Sequence, residues 1–323
     1  MRFVIHGLGA VGGTVAAALA LAGQEVVGIA RGRQLAAVRA GGLKLRTPEG
    51  DRVAHFACAG APAEVEFRAD DLIVLAMKTQ DTAQALADLR AAGVSEQAIF
   101  CAQNGVENER LAARLFPNVH AICVMLPAEF LTPGEVAAFG VPKHGIFDIG
   151  RYPGGIDAAD EILAEALEEA GIAAFTLPDA IQSKYGKLLM NLGNIVDAAF
   201  GRGAEAAPIR ARLRAEGEAV LAAAGIAWRD VGQADPRREA LMRTGEVPGA
   251  ARVGSSTAQS LARGTGSVET DFLNGEIALL ARLHGAEAPA NAWMTGLAAR
   301  LAREGLAPGS VPVAAFYQAL GEG

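Results

Sequence analysis

The chain has 323 residues, 51% hydrophobic and 20% charged, which is typical of a globular protein with room for two domain cores. Its formal net charge is -7 and it has no long block of Lys and Arg, so neither nucleic acid nor an acidic membrane surface is an expected partner. No run approaches the roughly 18 apolar residues of a membrane span. Cys58, Cys101 and Cys123 lack paired spacing and the five histidines are scattered, so we expect reduced thiols, no metal site and a cytoplasmic protein.

The first thirty residues predict a strand, a glycine turn, a helix and a second strand. Residues 3–5 are apolar, an alanine-rich helical segment follows the turn, and residues 26–30 are apolar again. The turn itself contains Gly7, Leu8, Gly9, Ala10, Val11 and Gly12. In this context G-x-G-x-x-G indicates a dinucleotide site, because the bare backbone and the helix N-terminus can receive a pyrophosphate.

The same stretch also resembles a signal peptide, since Arg2 precedes an apolar run that ends in small residues. The glycines interrupt that run, and cleavage would remove the strand on which the predicted sheet depends. We therefore expect the segment to be part of the fold.

The end of the second predicted strand favours NADP over NAD. An NAD site usually carries Asp or Glu about 20 residues past the glycine turn. Here the chain reads Ala30-Arg31-Gly32-Arg33, and no carboxylate is available at that end of the strand. The guanidinium groups of Arg31 and Arg33 suit a 2′-phosphate, so we expect NADP as the cofactor.

Two further apolar runs, residues 71–77 and 98–102, predict strands buried on both faces of a parallel sheet. Lys78 follows the first and Asn104 the second. Ligands of such sheets bind at the carboxyl ends of strands, so both residues are candidates for contact with cofactor or substrate. A plain turn is the alternative for Asn104. Residues 43–56 predict a small strand pair beside the main sheet.

The pattern of the chain changes near Pro178. Strands and helices alternate before it, whereas helical patterns without a further convincing strand follow it. We therefore predict an α/β fold in which residues 1–178 form a Rossmann-type dinucleotide-binding domain. Residues 179–323 are predicted to form an all-α substrate and catalytic domain.

Residues 180–200 predict one long helix with a polar stripe. The stripe, spaced by three, four and three, contains Lys184, Lys187, Asn191 and Asn194. A solvated helix face is the alternative explanation. Asparagine is a poor helix former, however, so two of them in mid-helix indicate that a ligand needs their amides.

Two later segments carry polar residues at predicted helix starts. Ser255 lies where a serine caps a helix or binds a carboxylate. Glu269 opens another helix, where the dipole favours acidic side chains.

In their order along the chain, these motifs resemble the ketopantoate reductase (2-dehydropantoate 2-reductase) family. The resemblance rests on the glycine turn followed by Arg31, Lys78, Gln103-Asn104-Gly105, Lys187-Leu188-Leu189-Met190-Asn191, Ser255-Ser256 and residues 269–275. It implies an NADP-binding Rossmann domain joined to a helical domain, with the active site in the cleft between them. The implied activity is the NADPH-dependent reduction of ketopantoate to pantoate in pantothenate biosynthesis.

The resemblance also implies roles for single residues. Lys187 corresponds to the general acid. The expected cofactor-binding residues are Gly7, Leu8, Gly9, Ala10, Val11, Gly12, Arg31, Lys78, Asn104 and Glu269. The expected substrate-binding residues are Asn104, Lys187, Asn191, Asn194, Ser255 and Glu269. The chain departs from the family pattern at Tyr185, where tryptophan is common, and at Ile195, where many members have a second asparagine that Asn194 would replace.

Two other functions remain open on the sequence. One is a reductase of a different small 2-oxo acid on the same scaffold. The other is a non-catalytic NADP(H)-binding sensor, which would have no use for a proton donor such as Lys187. The expected partner is a small 2-oxo acid, and a homodimer is compatible with the sequence.

Overall fold

The computed structural model describes residues 1–201, 203–232, 234–250 and 269–322. These residues fall into two compact units. The first unit contains the described residues of 1–184 and 230–250, and the second those of 185–229 and 269–322. The division at residue 178 into a cofactor domain and a catalytic domain stays a prediction.

The described strands all belong to the first unit. In chain order they are β1 (Arg2–His6), β2 (Glu25–Ile29), β3 (Leu43–Thr47), β4 (Gly50–Ala54), β5 (Ala57–Ala59), β6 (Asp71–Leu75), β7 (Ala98–Cys101), β8 (Val119–Met125), β9 (Ala128–Thr132), β10 (Glu135–Ala138), β11 (Gly140–Pro142), β12 (Ile146–Arg151), β13 (Ala173–Thr176) and β14 (Met242–Thr244).

The described helices occur in both units. They are α1 (Ala10–Leu21), α2 (Gly32–Gly41), α3 (Thr82–Ala91), α4 (Glu107–Ala113), α5 (Ala158–Glu169), α6 (Ala180–Asn191), α7 (Asn194–Phe200), α8 (Ala207–Ala223), α9 (Pro236–Leu241), α10 (Asn274–His284), α11 (Pro289–Glu304) and α12 (Ala314–Ala319). Short 3₁₀ turns lie at Pro62–Glu64, Thr79–Asp81, Ala204–Ala206 and Glu269–Phe272. None of the described helices is long and apolar enough to cross a bilayer.

The main sheet of the first unit is a Rossmann-type sheet, as predicted. In the described part of the chain it has eight strands in the order β13-β12-β8-β7-β6-β1-β2-β5. Neighbouring strands are parallel except β12, which runs antiparallel to β8. β6 is buried along its whole length, as its nearly continuous apolar run predicts. Its one charged residue, Asp71, is neutralised by Arg2 through bonds of 2.8 and 2.6 Å.

The predicted strand pair at residues 43–56 belongs to a separate sheet. β3 and β4 form an antiparallel hairpin, which β10 and β9 extend into a four-stranded sheet of order β4-β3-β10-β9. The buried residues of β3 are Leu43, Leu45 and Thr47, and they alternate with half-buried ones. This period of two is why the hairpin was visible in the sequence. The partner strands β10 and β9, about 90 residues further along the chain, could not be recognised from that pattern.

The prediction that no strand follows residue 178 is wrong. Residues 230–250 return to the first unit, where α9 leads directly into β14, and β14 pairs antiparallel with β11. A three-residue strand shows too little of a period-two pattern to be recognised, and its pairing depends on a tertiary contact. Arg237 of α9 secures the segment, because its guanidinium donates to both Asp148 oxygens at 2.7 and 3.2 Å and lies 4.8 Å from the ring centre of Phe175.

The described residues of the second unit form helices and 3₁₀ turns without strands. Its apolar core is drawn from all its longer helices and includes Leu188, Leu192, Ile209, Leu213, Val220, Ile277, Met294, Leu301 and Phe316. Three buried polar side chains within this core, those of Glu216, Asn274 and Asn291, are hydrogen-bonded to one another in series. Glu216 of α8 accepts from the backbone N–H groups of Ala290 and Asn291, at 3.1 Å each, and so caps α11.

The Arg237 contact generates a stability prediction. Asp148 is 2% exposed, so removing its partner leaves a buried carboxylate without its main counter-charge. We expect Arg237→Ala to lower the free energy of unfolding by about 2–3 kcal/mol. Urea denaturation measures it. Arg238→Ala, one residue further along the same helix, is the control and should cost far less. Equal losses for the two variants would contradict the role assigned to Arg237.

Candidate functional site

The candidate site of the first unit lies at the carboxyl edge of the main sheet. In the register of the sheet, His6 at the end of β1 is opposite Leu75 of β6 and Ile29 of β2. Leu75 is in turn opposite Cys101 of β7. The four strands therefore end at one level, and the loops that follow them lie side by side. This edge carries the glycine turn, Arg31, Lys78 and Asn104, as the topological argument predicts.

The glycine turn joins β1 to α1, and on the side that faces the sheet it leaves no room for side chains at Gly7 and Gly12. A Cβ at Gly12 would lie 2.0 Å from the carbonyl oxygen of Gly7 and 2.7 Å from the Cβ of Ala76, so any other residue would push α1 off the sheet. At Gly9, the N-cap of α1, a Cβ would meet no described atom within 4 Å. The turn is thus closed toward the sheet and open at the helix N-terminus. A pyrophosphate fits this combination, because α1 has no side-chain cap and its first N–H groups are available to an anion.

His6 lies directly before the turn and was not recognised as a site residue in the sequence. Burial lowers the pKa of His6 to about 4, and the positive charge of Arg31 adds to that shift. Its Nδ1 is shielded from solvent and has no hydrogen-bond partner among the described residues. The imidazole is therefore neutral at physiological pH and adds no charge beneath the turn.

A carboxylate does lie near Arg31, contrary to the expectation from the sequence. Oδ1 of Asp81 is 3.5 Å from Nη2 of Arg31, and the two side chains are 47% and 79% exposed. Asp81 belongs to the 3₁₀ turn after β6, so an inspection limited to the end of β2 could not find it. Ion pairs between exposed side chains contribute little stability, at most about 1 kcal/mol. The pair leaves Arg31 on the surface, where a phosphate can compete for it.

The loops after β6 and β7 are joined by buried polar side chains, of which only Gln103 belongs to a motif recognised in the sequence. We call Thr79, Thr82, Gln103 and Asn108 the Asn108 network; they are between 0 and 5% exposed. The amide of Asn108 donates to the backbone oxygen of Asn104 at 3.0 Å. Asn104 itself is half-buried at the sheet edge, as is Lys78, which precedes the Thr79–Asp81 turn.

The polar stripe predicted on residues 180–200 is wrong at Lys184. This lysine is 3% exposed and belongs to the first unit, where its Nζ contacts the Glu109 carboxylate and donates to the backbone oxygen of Cys101 at 3.1 Å. Burial raises the pKa of Glu109, and the charge of Lys184 opposes that rise. Lys184 is thus part of a buried ion pair at the end of β7. Helical spacing places it on the same side as Lys187 but does not reveal burial.

The long helix predicted over residues 180–200 is also interrupted. α6 ends at Asn191 and α7 begins at Asn194. The break has a visible cause: the N–H of Val196 bonds to the oxygen of Gly193 at 3.1 Å, and the oxygen of Leu192 accepts instead from the side-chain amide of Asn274 at 3.2 Å. Glycine at 193 weakens the helix at the same point.

The second unit holds most of the remaining predicted site residues. Lys187, Asn191 and Asn194 are half-buried. The Nδ2 of Asn191 is shielded from solvent and has no hydrogen-bond partner in the described part of the chain, which is costly unless a ligand supplies one. Glu269 is 8% exposed, in the Glu269–Phe272 turn. Ser255 lies outside the described residues.

A cluster of one histidine and two aspartates, which the sequence did not predict, lies at the amino-terminal end of β8. Nδ1 of His120 is 2.7 Å from Oδ1 of Asp160, and Nε2 is 3.9 Å from Oδ2 of Asp157. This geometry could hold a metal ion. Its carboxylates are already engaged, because they form the capping box of α5 and Asp157 pairs with Arg151 at 2.5 Å. The cluster therefore has a structural explanation in the start of α5.

Two family comparisons cover most of the chain. Residues 3–154 match the family described as "Ketopantoate reductase PanE/ApbA", and residues 179–302 match "Ketopantoate reductase PanE/ApbA C terminal". The chain belongs to the ketopantoate reductase family. It is therefore an oxidoreductase that uses a nicotinamide dinucleotide and acts on a small molecule. The resemblance drawn from the motifs is confirmed, as is the prediction of an enzyme.

Individual relatives agree with the ketopantoate reductase assignment. A 2-dehydropantoate 2-reductase of Pyrococcus horikoshii is 28% identical over 318 residues, which covers 96% of this chain and 100% of that protein. One from Mesorhizobium japonicum is 32% identical over 227 residues, which is 62% of this chain and 68% of that protein.

A solved ketopantoate reductase of the same family, from Ralstonia eutropha JMP134, has the same fold. Its TM-score is 0.77 at 29% identity, over 94% of this chain and 99% of that chain. The structure of a D-mandelate dehydrogenase with NADH and anilino(oxo)acetate shares the fold with a TM-score of 0.79 at 24% identity, over the same shares of the two chains.

The buried position of Lys184 generates the prediction of this section. Lys184→Ala should lower the free energy of unfolding by about 3–5 kcal/mol, because Glu109 loses its partner in the interior. A second change, Glu109→Gln, should restore part of the loss. Urea denaturation is the measurement. Lys143→Ala is the matched control, since Lys143 forms a 2.6 Å ion pair with Glu168 at the surface and should contribute less than about 1 kcal/mol. If both lysine variants are equally stable, the ion pair does not have this role.

Proposed function

We propose that this ketopantoate reductase family member reduces ketopantoate to pantoate with NADPH. The observation that carries the proposal is the juxtaposition, at one sheet edge, of an open glycine turn and the guanidinium of Arg31. The first receives a pyrophosphate and the second a 2′-phosphate. The proposed cofactor-binding set is Gly7, Leu8, Gly9, Ala10, Val11, Gly12, Arg31, Lys78, Asn104 and Glu269.

NADPH is the proposed cofactor because of the charge at the end of β2. Arg31 is exposed, and a guanidinium binds a phosphate dianion with two parallel hydrogen bonds. Asp81 is the only described carboxylate paired with Arg31, and its ion pair is weak enough for a 2′-phosphate to displace it. When bound, the nicotinamide supplies the hydride that the reaction needs.

Lys187 is the proposed proton donor. Reduction of a 2-oxo acid places negative charge on the former carbonyl oxygen, which must be stabilised and protonated. A lysine ammonium has a reference pKa of about 10.4 and can do both at neutral pH. Asn191 follows one helical turn later, and its shielded, unpartnered Nδ2 is suited to hold an oxygen of the substrate.

The remaining proposed contacts follow from the functional groups of ketopantoate. We assign the carboxylate to Ser255, at a predicted helix start, and the carbonyl end to Asn191 with Asn194. Glu269 would then accept a hydrogen bond from the distal hydroxyl, because an ionised carboxylate accepts and cannot donate. The substrate-binding set proposed is Asn104, Lys187, Asn191, Asn194, Ser255 and Glu269.

A different small 2-oxo acid is the second candidate substrate. It is favoured by the fold shared with the D-mandelate dehydrogenase, whose solved complex contains NADH and anilino(oxo)acetate. A substrate of that kind lacks the distal hydroxyl, so Glu269 would have no hydroxyl to accept from. The hydroxyl therefore separates the two candidates.

The first prediction of this section concerns the cofactor. NADPH should be used far better than NADH, and Arg31→Ala should reduce that preference about ten- to a hundred-fold, because the charge-assisted interaction of the guanidinium with the 2′-phosphate is lost. Steady-state kcat/KM with each cofactor measures the preference. Arg39→Ala is the control, since this exposed arginine of α2 pairs with Glu64 instead. Equal use of both cofactors by the unaltered enzyme would exclude NADP specificity.

The second concerns the proton donor. Lys187→Ala should lower kcat about 10²–10⁴-fold while the dissociation constant of NADPH stays nearly unchanged. Steady-state turnover at saturating substrate measures kcat, and fluorescence titration measures the dissociation constant of NADPH. Lys143→Ala, which removes a lysine from the surface, serves as the control and should retain full activity. A loss below tenfold for Lys187→Ala would remove Lys187 from the catalytic role.

The third concerns the substrate hydroxyl. The enzyme should prefer ketopantoate to its deoxy analogue by at least about tenfold in kcat/KM, because the analogue cannot donate the proposed hydrogen bond to the Glu269 carboxylate. Glu269→Ala should mainly abolish this discrimination, whereas Ser255→Ala should weaken both substrates alike. Asp271 is an exposed acidic residue of the same turn, and Asp271→Ala is the control. A preference for the deoxy compound would favour the second candidate substrate.

A further inference from the structure

Residues of the turn after β7 are hydrogen-bonded to the buried side chains of the Asn108 network. Gln103 donates through Nε2 to Oγ1 of Thr82 at 3.2 Å, and that hydroxyl donates to Oδ1 of Asn108 at 2.8 Å. Nδ2 of Asn108 then donates to the backbone oxygen of Asn104 at 3.0 Å. Gln103 and Asn104 are consecutive, so the bonds form a closed ring that starts and ends on the same turn.

A fourth member of the network adds a link to the neighbouring loop. Nδ2 of Asn108 is also 3.3 Å from Oγ1 of Thr79, and that hydroxyl lies 3.4 Å from the oxygen of Asn104. Thr79 is 2% exposed and directly follows Lys78. The amide of Asn108 therefore connects the loop after β6 with the loop after β7, the two loops that carry predicted cofactor contacts.

The orientation of the Asn104 peptide needs such an anchor. Gly105 has a φ of +77°, a left-handed conformation that glycine reaches as easily as its alternatives. Without an external bond the Asn104–Gly105 peptide could rotate, and the loop backbone that places Asn104 would no longer be fixed in one conformation. Fixing the carbonyl of Asn104 removes that freedom.

We propose that Asn108 is a positioning residue, which orients Asn104 toward cofactor and substrate by binding its backbone oxygen. The proposal rests on the proposed function, in which Asn104 contacts both. A purely structural role explains the network less well. Four polar side chains at 0–5% exposure need hydrogen-bond partners, and Oε1 of Gln103 has none among the described residues, whereas apolar side chains of the same shape fill such a space at little or no cost.

The test compares variants of Asn108 and Thr82 in the full-length protein. Asn108→Ala removes the bond to Asn104, and Thr82→Val removes the hydroxyl that holds the Asn108 amide. Thr82→Ser restores that hydroxyl and is the conservative rescue. Gln97→Met is the matched control: Gln97 is a buried amide just before β7, at the opposite end of the strand from Asn104, where it bonds to the backbone of Ser95 and Arg68.

Four quantities are measured for each variant: kcat and KM with ketopantoate, the dissociation constant of NADPH, and the melting temperature. Asn108→Ala should lower kcat/KM about ten- to a hundred-fold at temperatures well below its melting point, the usual effect of misplacing a contact group. Thr82→Val should lower it less, and Thr82→Ser should recover most of the loss. Gln97→Met should lower the melting temperature alone.

A double variant shows whether Asn108 acts through Asn104. In the Asn104→Ala background, Asn108→Ala should change kcat/KM less than about threefold, because the group that it positions is already absent. The proposal is overturned if Asn108→Ala and Gln97→Met have the same small effect. It is equally overturned if the Asn108→Ala loss is undiminished in the Asn104→Ala background.

The unaltered enzyme is assayed first, which separates this proposal from the proposed function. If it does not reduce ketopantoate, the proposed function fails, and the dissociation constant of NADPH alone decides about Asn108. Asn108→Ala must then weaken NADPH binding as Asn104→Ala does, while Gln97→Met leaves it unchanged. NADPH binding that is unaffected by Asn108→Ala would overturn the positioning role.

Discussion

Close packing of backbone on backbone at the glycine turn governs the first unit. A Cβ at Gly12 would stand 2.0 Å from the oxygen of Gly7, less than any pair of non-bonded atoms allows. Only glycine therefore lets α1 start against the end of β1. That contact brings the helix N-terminus, with its unpaired N–H groups, to the carboxyl edge of the sheet. The loops bearing Arg31, Lys78 and Asn104 become a site only because α1 begins there.

The two units share a second principle, which is the control of backbone carbonyls by buried amides. In the first unit, Asn108 binds the oxygen of Asn104. In the second, Asn274 binds the oxygen of Leu192, next to Asn191, and is itself held by the side chain of Asn291 at 3.0 Å. In both cases a buried amide fixes the backbone at or beside a residue with a predicted ligand contact. Buried polar groups of this kind are expensive unless fully bonded, so they specify one local geometry.

Features that depend on local pattern were predictable from the sequence. The glycine turn and the strands of the parallel sheet follow from short-range spacing and apolar runs, and the structure confirms the Rossmann-type unit followed by helices. Features that depend on distant partners were not predictable. β14 needs β11, about 100 residues earlier, and Asp81 reaches Arg31 from another strand end. Lys184 has a helical position indistinguishable from that of Lys187, and only its contact with Glu109 shows that it is structural.

The sequence predicts a set of site residues but not the contacts that position them. Asn191 and Asn194 were identified from their unfavourable place in a helix, and the break between α6 and α7 now accounts for part of that pattern. Within the Asn108 network only Gln103 belonged to a recognised motif, because the network is made of contacts between separate loops and asparagine is common in ordinary turns.

Direct transfer of a hydride from the nicotinamide to C2 of a 2-oxo acid is the central claim, and isotope tracing tests it most directly. The enzyme is supplied with ketopantoate and NADPH deuterated at C4 on the transferred side, and the product is examined by mass spectrometry and NMR. One deuterium should appear at C2 of pantoate for each NADPH oxidised, and D₂O with unlabelled NADPH should leave C2 undeuterated. Absence of cofactor deuterium at C2, or its delivery from solvent, would contradict the account.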